Sequence, residues 1–293
     1  MSSSPSCAAS ECTDPYTPFA LIACQRTGTH LLREILNSNP CIALLAEPFS
    51  RNPKPIYWLN YVQNLPEDQY PPLLPSDATI LLDDYMQAIR KDVQVNRRWY
   101  GGTKFPLRAL GLDVKYNQLK CFSPLFTSLL APPFLLQYFA DRQVRIVHML
   151  RSNLVHTALS VIISNMRNIW QNYDGAVIQG KFTVPPPMLI HHVRWVQGER
   201  EEFLRLAQGL MVQSCIYEDL IADFQRTDSS GYFPEDSVAL SPLAEFLDVP
   251  NRFRHRRQIC KVINRPYAEI LENYDELVSA LRDSEFSEFA DTL

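Results

Sequence analysis

The sequence predicts one α/β domain of three layers, with a central, mostly parallel sheet and helices on both of its faces. Two observations carry this expectation. Short apolar runs alternate along the chain with longer segments whose apolar residues recur at helical spacing, and glycine-, proline- or hydroxyl-containing turns separate them. The 293 residues, 46% hydrophobic and 20% charged, also suit one large α/β domain, or two small ones, with a sizeable core.

The elements follow in order. Residues 1 to about 17 are rich in Ser, Pro and Cys and read as a disordered tail, so the domain is expected over 18–293. Phe19 to Cys24 is a short apolar run consistent with a buried strand. Leu31, Leu32, Ile35 and Leu36 fall at helical spacing, and Asn37 to Pro40 ends that helix. Ile42 to Leu45 reads as a second strand, with Glu47-Pro48 just past its end. A loop rich in Pro and Tyr spans 51–76, a helix follows from about Asp77 to Val95, and Trp99 to Phe105 is a short strand candidate. Pro124 to Phe139 reads as helix, Val144 to Met149 as strand, and about Leu154 to Trp170 as helix. Pro185-Pro186-Pro187 precedes a long helix from about Met188 to Ala207, and Leu210 to Tyr217 is a further strand. A disordered or looped insert at about Arg226 to Ser237, a short helix near Pro242 to Leu247, and a basic then acidic tail complete the chain.

Several function classes are set aside by composition. A net charge of -4 argues against wholesale nucleic-acid binding, so any anion site must be built locally. The seven cysteines are scattered without CxxC spacing, and His191-His192 has no companions at ligand spacing, so no metal site is expected. The N-terminus lacks the basic and apolar regions of a secretory signal, and no apolar run approaches the ~20 residues of a membrane span. A reducing, cytoplasmic setting is the expectation. The sequence is compatible with a homodimer and does not specify one.

Ligands of a parallel sheet bind beyond the carboxyl ends of its strands. Gln25 to His30, Glu47, Lys104, Arg151 and Glu218 each follow a strand candidate, so they are expected to converge on one cleft. In the turn QRTGTH, Gly28 lets backbone approach an anion, Thr27 and Thr29 offer hydroxyls, and Arg26 offers a forked cation at a helix N-terminus. The same residues could equally form a hydroxyl-capped helix start with an exposed arginine. A nucleotide-hydrolysing loop is disfavoured, because GK[ST] occurs nowhere in the chain. Arg151 at a strand end and Ser160 nine residues later could share a second phosphate.

The pair QRTGTHLL and RSNLVHTALS resembles the two nucleotide-binding elements of sulfotransferases that use 3′-phosphoadenosine 5′-phosphosulfate (PAPS). LLREILNSNPCIALLAEPF, YEDL at Tyr217 to Leu220, and the C-terminal segment extend the likeness toward bacterial carbohydrate sulfotransferases of the trehalose and nodulation-factor type. The resemblance implies a P-loop-like three-layer fold and a PAPS co-substrate with no metal. It implies that Arg26, Thr27, Gly28, Thr29 and His30 bind the 5′-phosphosulfate, and that Arg151 and Ser160 bind the 3′-phosphate. It further implies Glu47 as general base, with His30 the competing candidate, and Lys104 of GGTKF beside the bridging oxygen. The acceptor it implies is a small molecule or glycan bearing a hydroxyl. An ATP-dependent small-molecule kinase and a catalytically silent nucleotide-binding protein on the same fold are the alternatives.

Overall fold

The run FALIA forms the middle of the sheet because its side chains are apolar on both faces, as a strand covered by helices on either side requires. β1 (Thr17–Ala23) lies between β3 (Ala109–Lys115) and β4 (Arg145–Leu150). β2 (Ile42–Leu45) pairs outside β3, and β5 (Val212–Ile216) outside β4. The order is β2-β3-β1-β4-β5 and every pair is parallel, as the alternating strand and helix pattern leads one to expect. The structure, a computed structural model, describes residues 16–51, 54–66, 68, 73–96, 106–120, 122–124, 131–168, 180–255 and 265–293.

Strand alternation divides the core in two. Ala20 and Ile22 of β1 pack toward α3 (Pro75–Val95), α4 (Phe134–Asp141) and α6 (Pro186–Leu206). Phe19, Leu21 and Ala23 pack toward α1 (Thr29–Leu36), α7 (Tyr217–Gln225) and α8 (Ser241–Phe246). A third cluster joins α5 (Leu154–Arg167) and α6 to α9 (Tyr267–Ile270) and α10 (Tyr274–Arg282). This gives the three-layer α/β/α arrangement.

Several expectations are revised, and others fall outside the described residues. The strand candidate Trp99 to Phe105, with Lys104, lies outside the described residues. A strand the sequence reading did not name, β3, ALGLDVK, lies between β2 and β4 in the chain, with every residue buried. Its Gly111 admits the Phe19 ring: a Cβ there would stand 2.3 Å from Phe19 Cζ. The 51–76 loop contains a short helix, α2 (Trp58–Gln63), whose Trp58 packs edge-on against Tyr85 and Phe122. The helix expected from Pro124 begins only at Phe134, with 125–130 outside the described residues, and α5 stops at Arg167, where Asn168 turns left-handed at φ 53°. Residues 1–15 also lie outside, while Thr17, assigned to the tail, opens β1.

The register places the site. Ala23 and Lys115 are opposite one another at the carboxyl ends of β1 and β3, and Leu150 is opposite Ile216 at the ends of β4 and β5. The turns leaving these strands therefore emerge along one edge of the sheet.

Candidate active site

The turn after β1 has the conformation an anion site needs. Gly28 is the N-cap of α1 at φ 94°, and the described residues form no side-chain cap there. The first amides of α1 are thus not capped by a side-chain hydroxyl. A Cβ on Gly28 would stand 2.5 Å from Tyr217 Cδ2, so the turn packs flat on that ring. Thr27 Oγ1 donates to the Cys24 carbonyl at 2.9 Å, so its proton closes the turn instead of pointing outward. Arg26 sits at φ 66° and Glu47 at φ 39°, left-handed conformations that cost a non-glycine residue about 1–3 kcal/mol. Strain of that kind concentrates where side-chain direction matters.

Arg26, Ser160 and Arg151 form one group. Arg26 Nε donates to Ser160 Oγ at 3.0 Å, joining the β1 turn to the facing helix α5 across 134 residues of sequence. The Arg151 guanidinium lies over the Tyr217 ring at 5.0 Å from its centroid, and its buried Nε has no hydrogen-bond partner among the described residues. Burial lowers the Arg26 pKa, and the neighbouring positive charge of Arg151 lowers it further. Burial pushes the Tyr267 phenol up to about 12 against the pull of Arg151 and Arg26, and raises Tyr217 against the pull of Arg151. Two cations crowded together, with neutral phenols around them and one buried donor unanswered, form a place suited to an anion. Glu218 accepts from the Ser152 amide at 3.0 Å and so fastens the loop that carries Arg151.

A second group lies on the other side of the turn. Lys115 Nζ donates to Asp113 Oδ1 at 2.5 Å and to Thr29 Oγ1 at 2.6 Å, and stands 3.8 Å from Glu47 Oε1. Asp113 Oδ2 accepts from Arg33 Nη1 at 3.2 Å, and Arg33 Nη2 is in close contact with His30 Nδ1. An arginine can only donate, so His30 accepts at Nδ1 and its neutral ring carries its proton on Nε2. The imidazole is therefore arranged as a donor. Gln118 Nε2 reaches Glu47 Oε2 at 3.4 Å, while over a third of the Glu47 side chain stays exposed. An exposed carboxylate steadied by a buried ammonium and an amide can accept a proton from a hydroxyl placed against it.

The structure thus brings Arg26, Arg151 and Ser160 together, and Thr29, His30 and Glu47 into the adjoining network; Lys104 is outside the described residues. Sequence reasoning missed Lys115, Asp113 and Arg33. The available signal was the i,i+2 pair Asp113 and Lys115 in an otherwise apolar run, a spacing that places both on one strand face. Cys24 and Cys215 are buried thiols, each pushed up to about 12 by burial, in line with small core residues. Among the described residues no group of three or more His, Cys, Asp or Glu is placed to hold a metal, and no helix is long and apolar enough to cross a membrane.

Fold and site together define a parallel α/β protein with Arg26, Arg151 and Ser160 grouped at the carboxyl edge of its sheet. No protein-family profile matches the chain, and no curated protein matches it. Among solved structures it is similar to a sulfotransferase from Alicyclobacillus acidocaldarius, at 17% identity and TM-score 0.43, over 92% of this chain and 96% of that one. It is also similar to the sulfotransferase domain of the Synechococcus PCC 7002 olefin synthase, at 15% identity and TM-score 0.35, over 80% of this chain and 75% of that one. A mouse sulfotransferase solved in complex with PAP shares 12% identity at TM-score 0.38, over 94% of this chain and 89% of that one.

Proposed function

We propose that the protein transfers a sulfuryl group from PAPS to the hydroxyl of an acceptor, a carbohydrate or glycolipid, by in-line displacement. The observation that carries this reading is the Arg26–Ser160 hydrogen bond with Arg151 beside it, its Nε unanswered. That arrangement gives the paired sequence elements QRTGTHLL and RSNLVHTALS one common ligand to bind.

Arg26, Arg151 and Ser160 hold the 3′-phosphate. The uncapped start of α1, Thr29 and Lys115 face the 5′-phosphosulfate, Lys115 adding a second cation to the Lys104 expected there. Glu47 removes the acceptor proton as the new O–S bond forms and the S–O bond to phosphate breaks. Lys115 and the α1 amides offset charge on the departing phosphate, and His30, arranged as a donor, adds to that field instead of competing as base.

Incubation with radiolabelled PAPS and a panel of hydroxyl acceptors tests the reading, together with calorimetry of adenosine 3′,5′-bisphosphate against magnesium ATP. Labelled acceptor and preference for the bisphosphate are expected. Tighter binding of ATP would favour a kinase, and bisphosphate binding without transfer to any acceptor would favour a silent binding protein.

A further inference from the structure

His156 stands in the middle of RSNLVHTALS, between Arg151 and Ser160, and takes no part in the groups described above. It joins three elements. Its amide donates to Asn153 Oδ1 at 2.9 Å, which closes the N-cap of α5. Its carbonyl accepts from the Tyr267 hydroxyl of α9 at 3.4 Å, and its ring lies against the Tyr267 ring, centroids 5.2 Å apart at 35°. Its Nε2 is 2.9 Å from the Thr292 carbonyl, in the turn Ser287–Thr292. A carbonyl can only accept, so that nitrogen carries a proton and donates.

The accepting end of this bond is itself fixed. Thr292 Oγ1 donates to the Phe289 carbonyl at 3.0 Å and accepts from Asn153 Nδ2 at 2.9 Å. Phe286 and Ala290 are buried in the same apolar cluster as Tyr267. The His156 ring is therefore held by α5 at its base and by Thr292 at its outer edge, and it walls in Tyr267. Tyr267 is 8% exposed, and the charges of both Arg151 and Arg26 pull on its phenol, so it stands close to the two guanidinium groups. Asn153 is two residues from Arg151, so Thr292 ties down one end of the loop that Glu218 fastens at Ser152.

Resting on the sulfuryl-transfer reading above, we propose that His156 is a positioning residue for the 3′-phosphate, acting through its bond to the Thr292 carbonyl. That bond keeps Tyr267 and the Arg151 loop where the phosphate requires them, and His156 itself does not touch the nucleotide. A histidine that only filled space could be replaced by any flat ring. A positioning histidine needs its Nε2 donor, and its loss should be felt only by a ligand that Arg151 holds.

Two variants separate the ring from the donor. His156→Phe keeps a flat ring beside Tyr267 and removes the donor, whereas His156→Gln keeps a donor of similar reach and removes the ring. Calorimetry compares adenosine 3′,5′-bisphosphate with adenosine 5′-monophosphate. His156→Phe is expected to weaken the bisphosphate roughly three- to tenfold, the worth of one hydrogen bond, and to leave the monophosphate within about twofold. His156→Gln should return bisphosphate affinity to within about twofold of wild type. In an Arg151→Ala background, His156→Phe should cost nothing further. Unchanged affinity in His156→Phe, equal losses for the two nucleotides, no recovery in His156→Gln, or the same loss without Arg151 overturns the proposal. A further measurement needs no variant to bind: by reciprocity, the bisphosphate should slow solvent exchange of the His156 Nε2 proton in the wild-type protein, followed by NMR. Exchange unaffected by the bisphosphate also overturns the proposal. A wild-type protein that binds the monophosphate as tightly as the bisphosphate overturns the sulfuryl-transfer reading itself, and is seen separately.

Discussion

Lys115 and Asp113 meet at 2.5 Å in the interior of the domain, two residues apart on the same face of β3. The other oxygen of that carboxylate accepts from Arg33 of α1 at 3.2 Å, so one buried acid holds two cations from two elements. Each of the three side chains is at most 10% exposed. The arrangement locks the first turn of α1 to the end of β3 and aims the Lys115 ammonium at Thr29 and Glu47.

Asp113→Asn leaves both cations in place without their counter-charge. Breaking a buried ion pair from one side costs roughly 3–5 kcal/mol, so the urea midpoint should fall steeply at unchanged slope. A loss under about 1 kcal/mol would show that solvent reaches the pair and that Asp113 does not position Lys115.

Glu47→Gln keeps the shape of the side chain and removes its basicity. Turnover with a sugar acceptor is expected to fall roughly 10²–10⁴-fold, while bisphosphate affinity holds. His30→Gln should cost less, because its imidazole accepts from Arg33 and is not placed to take a proton. The reverse order of the two variants would return the base to His30.

Arg151 discriminates the 3′-phosphate in this reading. Its removal should weaken adenosine 3′,5′-bisphosphate by roughly 10–150-fold, the worth of about 1.5–3 kcal/mol for hydrogen bonding to a charged group. Adenosine 5′-monophosphate, which has no 3′-phosphate, should bind Arg151→Ala and wild type alike. Equal losses for the two nucleotides would place Arg151 elsewhere.

The fold was legible where strands are purely apolar, and the candidate site where a strand ends in a polar turn. FALIAC, IALL and VRIVHM mark β1, β2 and β4 to within a residue or two, and the turn after each strand named Arg26, Glu47 and Arg151. β3 was not legible, because Asp113 and Lys115 in ALGLDVK look like surface residues until Arg33, 80 positions earlier, supplies the charge that lets them be buried. The pairing of Arg26 with Ser160 was also beyond local reading. The motif resemblance implies Arg26 at the 5′-phosphosulfate, while in the structure its Nε, on a left-handed backbone at φ 66°, donates to Ser160 of α5.

Gly28 has both reasons to be glycine, a φ of 94° and a ring where a Cβ would lie. Gly28→Ala is expected to lose about 1–2 kcal/mol from the left-handed backbone alone, and more from displacing Tyr217. Because Tyr217 carries Arg151, bisphosphate affinity should fall together with stability. A variant that kept wild-type affinity would show that the turn and the Tyr217 ring are not coupled.

His148, fully buried on β4, predicts how stability depends on pH. Burial lowers its pKa from 6.5 to about 3, with Arg200 adding to the effect, so the ring is neutral in the folded protein. Below pH 6.5 the unfolded chain takes up a proton that the folded chain refuses until near pH 3. Stability from this group is therefore complete above pH 6.5 and is lost as pH falls through that window, at up to about 1.4 kcal/mol per pH unit. Nδ1 has no partner among the described residues, so nothing there compensates the charge of an imidazolium. Urea unfolding at a series of pH values between 7 and 4 should show this slope, and His148→Asn, which cannot titrate, should flatten it while lowering the plateau. A slope the same in both proteins would show that His148 is not its source.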